Sequence, residues 1–263
     1  PPTPIHPKNM LQALSLTGFT TEDEVIALYR TLETIDPPFD LILAVQAKFQ
    51  TLRGREDLSK NYPRLEVLKQ LKRAIEEQNA KRSQAGNRPF KVSLHYYTSS
   101  ANELAQQIRE LIRFTFEPDY LQINVKWPPA EQVAQIASDL PNVNLILQVR
   151  QVTAGSVIPK VKAYGGAVHT LLFDKSGGRG KPLDVEKSAR LGSALVDAFP
   201  DTGLSFAGGL KPENIRGIRD GIDEKLGRHS YSLCMESGIR TKRGDRSFVD
   251  PEKVMEILSK LST

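Results

Sequence analysis

The chain has a single cysteine, Cys234, in 263 residues. One thiol can form no intrachain disulfide and no cysteine-based zinc site, which fits a reducing compartment. Histidine is also scarce. His6, His95, His169 and His229 stand far apart with no metal-ligand spacing, so no metal site is expected. No apolar run approaches the roughly 20 residues that a membrane span needs. The opening segment, PPTPIHPKNM, has no apolar stretch of the signal-peptide kind. Nothing in it marks secretion, and a cytoplasmic location is expected. It opens on proline without a methionine, as a processed or trimmed start would. No low-complexity tract is visible. No G-x-G-x-x-G follows the first apolar run, which argues against dinucleotide binding. No cofactor is expected.

Charge of both signs is present. The net charge is +5, and the isoelectric point is near 9.2. Most of the basic excess is thinly spread, as in KQLKRAIEEQNAKR, where acids interleave with bases. Such a run is a solvated helix face, so nucleic acid is not an expected partner. RTKRGDR, residues Arg240 to Arg246, is denser. It suits either a phosphate-binding rim or an exposed loop.

Eight short apolar runs alternate with helical patterns. The runs are Ala13–Leu16, Leu41–Val45, Lys91–Tyr96, Tyr120–Val125, Asn144–Val149, Val168–Phe173, Gly203–Ala207 and Tyr231–Met235. Each is bounded by polar or glycine turns, as strands buried on both faces are. Helices are expected over Glu22–Thr34, Arg64–Gln78, Ala101–Phe114, Pro129–Ser138, Ala154–Tyr164, Asp184–Ala198, Pro212–Asp220 and Pro251–Leu261. Pro129, Pro212 and Pro251 stand where a first-turn proline is tolerated. This alternation predicts parallel strands joined by right-handed crossovers. The fold expected is one (β/α)8 barrel over residues 1–263, with a doubly wound open sheet as the alternative. Residues 1–12 read as a polar lead, and 46–90 as a long insertion after strand two.

Three glycine-rich breaks follow late apolar runs: LLFDKSGGRGK, LSFAGGLKPEN and SLCMESGIR. Glycine lets backbone N–H groups turn toward an anion and approach it closely. Gly208, Gly209, Ser237 and Gly238 are therefore candidate phosphate donors, on loops that neighbour each other in a barrel.

These segments in order, LLFDKSGGRGKPLD, FAGGLKPENI and MESGIR with VDPEKV behind it, resemble the phosphoribosylanthranilate isomerase family. That family reads LLDS-GG-TGK-FD, LAGGL-PENV and SSGVE followed by G-KDP-KI. The likeness covers the last third of the chain, from Val168 on. LTGFTTEDEV near the start is similar to the family's ICGIT-PEDA, while the middle matches weakly. The resemblance implies a barrel that binds a phosphorylated sugar and catalyses an Amadori-type aldose–ketose isomerisation in tryptophan biosynthesis. The reaction needs a general acid at the ring oxygen and a general base at the neighbouring C–H. The family's acid falls on Asp174. Its base, a cysteine, falls on Thr17, whose hydroxyl has no useful basicity near neutral pH.

Glu236 stands where the family has serine. It is either a substitute base, a partner of Arg240, or the mark of an altered phosphate site. Arg179 replaces the threonine of GTGK and either clamps an anion or is an exposed loop arginine. The family's carboxylate-binding arginine after strand two has two candidates, Arg53 and Arg64. His95, Lys126 and Arg150 fall at or just past strand ends and face either the mouth or solvent. Cys234, inside strand eight, reads as a small buried residue. Three functions remain open: the isomerase weakened by loss of its cysteine, a different chemistry on the same phosphate platform, and a non-catalytic ligand-binding or regulatory barrel. The oligomeric state is not legible.

Overall fold

The computed structural model describes residues 10–149, 153–174 and 182–262. Eight parallel strands close into a barrel in the order β1 to β8, each paired with its neighbours in sequence and β1 paired with β8. They are β1 (Leu11–Thr17), β2 (Asp40–Lys48), β3 (Lys91–Tyr97), β4 (Tyr120–Ile123), β5 (Asn144–Val149), β6 (Thr170–Phe173), β7 (Gly203–Ala207) and β8 (Tyr231–Met235). The open-sheet alternative is thereby excluded. β1 begins at Leu11, so the end of the predicted lead belongs to the barrel.

Helices cover the outside: α1 (Glu22–Thr31), the short α2 (Phe49–Leu52), α3 (Leu65–Gln84), α4 (Leu104–Phe114), α5 (Ala130–Asp139), α6 (Ala154–Lys162), α7 (Val185–Ala198), α8 (Ile215–Leu226) and α9 (Pro251–Leu261). Local chemistry sets their starts. Thr21 and Glu24 form a capping box on α1, the Glu24 N–H donating to the Thr21 hydroxyl at 3.3 Å. Asp250 caps α9 with Pro251 in the first turn. α8 starts three residues later than its sequence suggests. Lys211 donates its N–H to the Asn214 side chain at 2.9 Å, and Asn214 donates to the Gly209 carbonyl at 2.9 Å. The segment before Ile215 is thus a self-bonded turn. Among the described residues, no helix is long and apolar enough to cross a membrane.

The two faces of the strands differ in kind. Residues that point outward, toward the helices, are apolar and buried: Leu14, Leu16, Leu43, Val45, Leu94, Leu121, Leu147, Leu171, Phe206 and Leu233 among them. This layer between sheet and helices holds the core. The inward positions alternate with these and are largely polar: Ser15, Thr17, Gln46, Ser93, His95, Gln122, Gln148, Asp174 and Ser205 are all buried. Barrel interiors are more often filled by branched apolar side chains. Here a cavity of about 40 Å³ remains, lined by Ser15, Ser93, Gln122, Ser205, Ser232 and Cys234 among others. The Ser93 hydroxyl has no partner among the described residues. The space is polar and large enough for a water molecule.

RTKRGDR folds into a hairpin. β9 (Arg240–Arg243) pairs antiparallel with β10 (Arg246–Val249), and Gly244 takes a left-handed φ of 63° in the turn.

Candidate functional site

In a parallel barrel the C-terminal strand ends share one face, so the last inward residue of each strand lines a common mouth. β6 brings Asp174 there, and β8 brings Glu236. Asp174 is buried and accepts a hydrogen bond from the Gln148 amide at 2.8 Å. Glu236 is half-buried. It accepts from the Asn61 amide at 2.9 Å and also from Gln46. Burial pushes its carboxyl above the usual carboxylate range. Asn61, the Arg240 charge and Gln46 pull it back, and the charge of Asp174 pushes it up again. The two carboxyls therefore share one electrostatic environment.

Asn61 comes from the insertion after β2. It holds a left-handed φ of 60°, which Asn tolerates better than most residues. Lys48 anchors the segment, bonding Asp57 at 2.9 Å and lying over the Tyr62 ring at 4.8 Å. Arg240, buried at the base of the hairpin, donates to the Gly18 carbonyl, to the Ser247 carbonyl and to the Ser247 hydroxyl. A Cβ on Gly18 would sit 2.7 Å from the Arg240 guanidinium, and the φ of 102° there also requires glycine. Arg240 thus acts on Glu236 through its charge rather than by a direct hydrogen bond, while its own fork is spent on backbone. Glu24, 3.9 Å from Arg240, ties α1 to β10 by accepting the Val249 N–H at 2.6 Å.

Thr17 ends β1 beside these groups, its hydroxyl 3.5 Å from the Cys234 sulfur. The lone thiol therefore neighbours the position where the resemblance puts a cysteine. Burial, opposed by hydrogen bonds from Thr17 and Ser15, pushes Cys234 up to about 11. It carries no thiolate at neutral pH. His95 is buried, its Nε2 without a partner among the described residues, and burial lowers its pKa to about 3. Its imidazole is neutral throughout the physiological range.

The loops after β7 and β8 lie against each other. A Cβ on Gly238 would overlap the Leu210 carbonyl and crowd Lys211, so only glycine fits. Gly208 and Gly209 have φ of 122° and 60°. Among the described residues, no main-chain hydrogen bond uses their N–H groups. Ser237, Gly238 and Ile239 form a single 3-10 turn.

Arg53 is exposed and stacks over the Phe49 ring at 5.1 Å, and Arg64 is exposed and paired with Glu56. Lys126 is exposed. Arg150 and Arg179 lie outside the described residues. Among the described residues, no group of three or more acidic, histidine or cysteine side chains is placed to hold a metal. Sequence reasoning missed Gln46, Asn61 and Gln148. The two glutamines stand near the ends of the continuous apolar runs LILAVQ and NLILQV, where no alternation marks them as inward-facing. No local signal marks Asn61.

The fold and mouth define a single (β/α)8 barrel whose C-terminal face carries a carboxyl pair framed by amides beside two abutting glycine loops. No protein-family model matches the chain, and no curated protein is similar to it in sequence. Among solved structures the barrel is similar to the N-(5'-phosphoribosyl)anthranilate isomerase of Pyrococcus furiosus. The TM-score is 0.59 at 15% identity, over 95% of this chain and 98% of that one. The phosphoribosyl anthranilate isomerase of Thermus thermophilus gives 0.58 at 14% identity, over 95% and 98%. A putative spore coat polysaccharide biosynthesis protein E of Chromobacterium violaceum gives 0.62 at 12% identity, over 95% and 73%. At such identities the likeness establishes the architecture alone, a (β/α)8 barrel. It is shared with barrels of other names.

Proposed function

We propose that the mouth binds a phosphorylated sugar and catalyses an aldose–ketose isomerisation in which Asp174 is the acid and Glu236 the base. Glu236 stands in for the cysteine of the family that the sequence resembles. The observation that carries this reading is the placement of Glu236. It is a carboxyl raised by burial, fixed by Asn61 and Gln46, at the strand end next to Thr17. A base is most effective when its pKa approaches the working pH, and burial moves this one in that direction. Thr17 cannot serve, and the Cys234 thiol, pushed up to about 11, is protonated.

The phosphate half rests on the glycine loops. Gly208, Gly209, Ser237 and Gly238 would supply backbone and hydroxyl donors, at the positions barrels commonly use for phosphate. A carboxylate near a phosphate dianion is unfavourable, but Glu236 is bonded on its other side, toward β2 and the insertion. In the reaction Asp174 gives its proton to the ring oxygen as the ring opens, and Glu236 takes the proton from the adjacent carbon. Glu236 then returns that proton to the carbon at which the ring opened, and Asp174 recovers a proton as the enol becomes the ketone, so hydrogen moves between neighbouring carbons with no oxidant or reductant.

The test is turnover of N-(5'-phosphoribosyl)anthranilate and of ribose 5-phosphate by purified protein, with Glu236→Gln and Asp174→Asn alongside. Turnover lost in both variants supports the reading. Binding of either compound without turnover would favour the non-catalytic barrel, and turnover that survives Glu236→Gln would remove Glu236 as the base.

A further inference from the structure

Folding joins two basic segments, residues 53–60 and 242–246, that lie far apart in sequence. The hairpin β9–β10 packs its β10 strand against the 3-10 turn Leu58–Lys60 of the insertion. Both segments leave C-terminal strand ends, so they form one stretch of the mouth's rim. On it stand Arg53, Arg55, Lys60, Lys242, Arg243 and Arg246, all exposed or half-exposed. The two carboxylates between Arg53 and Lys60 are already engaged, Glu56 with Arg64 and Asp57 with Lys48. None of the six cations is in an ion pair among the described residues; Asp245 stands in the hairpin turn, and Asp250 at its foot accepts the Thr241 hydroxyl at 2.6 Å. Two of the arginines hold their guanidinium carbons over half-exposed rings, Arg53 5.1 Å from the centre of Phe49 and Arg246 5.2 Å from that of Phe248.

We infer that this rim is a binding surface for single-stranded nucleic acid, with the six cations tracking phosphodiesters and the arginine–aromatic pairs offering planes on which bases stack. Charge alone would fit any polyanion. The stacked planes distinguish the occupant, because bases have π-faces to lay on rings and guanidinium groups, and acidic peptides do not. The inference is independent of the chemistry in the mouth. It revises the expectation from sequence, where RTKRGDR and the turn around Arg55 are too distant to be read as one patch.

The experiment is fluorescence anisotropy of a labelled twelve-nucleotide oligouridine with the full chain, at several potassium chloride concentrations. Neutralising six phosphates of a single strand predicts a log–log salt slope of about −4. The triple variant Lys242→Ala, Arg243→Ala, Arg246→Ala removes half the cations. It should bind at least tenfold more weakly at 100 mM salt, with the slope falling to about −2. A control triple, Arg113→Ala, Lys162→Ala, Arg228→Ala, removes the same charge at helix C-termini on the opposite end of the barrel. It should leave binding unchanged. The inference is overturned if oligouridine does not bind at 100 mM salt, or if the control weakens it as much. It is equally overturned if a twelve-residue polyglutamate competes as well as unlabelled oligouridine.

Discussion

Arg240 is the residue whose loss should cost the fold most for one side chain at the mouth. Its guanidinium is buried and makes three hydrogen bonds, to the Gly18 carbonyl, the Ser247 carbonyl and the Ser247 hydroxyl. Arg240→Met keeps most of the apolar stem and removes the fork. Hydrogen bonds to a charged group contribute about 1.5–3 kcal/mol each, and the stranded acceptors add a desolvation cost. The three bonds share one donor and do not sum. Removing one member of a buried charged cluster typically costs about 3–5 kcal/mol, and that is the loss expected here. Glu24 tempers it, since the Thr20 and Thr21 N–H groups and the Val249 N–H still hold its carboxylate at 2.6–3.0 Å. For a domain of this size the melting temperature should fall on the order of 10 °C. Urea unfolding followed by circular dichroism is the assay, read as a shift of midpoint at unchanged slope. Arg240→Lys should fall between, because an ammonium cannot span both carbonyls as the planar fork does. A loss under about 1 kcal/mol for Arg240→Met, the size of an exposed ion pair, would refute the reasoning. It would mean that the hairpin base is wet and the guanidinium replaceable by water.

Glu236→Gln should stabilise the fold at alkaline pH. A carboxyl raised in the folded state contributes stability below its unfolded pKa and loses it as pH rises through the folded value. Wild type and variant should thus have equal melting temperatures near pH 4 and diverge above it, the variant melting higher at pH 8. The opposite order would show that the ionised form is the favoured one. Gly238→Ala should lose about 2 kcal/mol or more in urea, since the methyl meets the Leu210 carbonyl. It should also abolish any heat of inorganic phosphate binding in calorimetry, and an unchanged titration would move the anion site elsewhere. Thr17→Cys restores the resemblance's base position. With Glu236 already the base, turnover of N-(5'-phosphoribosyl)anthranilate should stay within a few-fold of wild type, and a rise of roughly 10²-fold, the lower range for a positioned base, would show that Glu236 is not the base.

Asn144–Val149, Gly203–Ala207 and Tyr231–Met235 have the same bounds in sequence and structure, because each is an apolar run cut sharply by polar or glycine turns. Asp174 and Glu236 were legible as strand-end carboxyls for the same reason. The inner wall was not. Runs such as KVSLHYY read as buried on both faces, yet Ser93 and His95 turn inward while Val92 and Leu94 face the helices. Burial of both kinds hid the alternation. Asn61 could not be read at all, since its place beside Glu236 depends on how the insertion folds back over β1. The hairpin was missed because RTKRGDR lacks the apolar residues that mark strands, and its pairing rests on Gly244 and on Arg240 reaching Ser247.

The polar lumen separates two kinds of selection. What keeps the barrel closed is the outer faces of the strands and the helices seated on them. What a ligand meets is the inner faces, which contribute little apolar burial. Substitutions in the second set are therefore cheap in fold and expensive in chemistry, and those in the first are the reverse. A lineage can rewrite its lumen residue by residue while the outer shell drifts among apolar side chains of similar volume. An architecture shared over 95% of the chain at 15% identity is what such a division of labour permits.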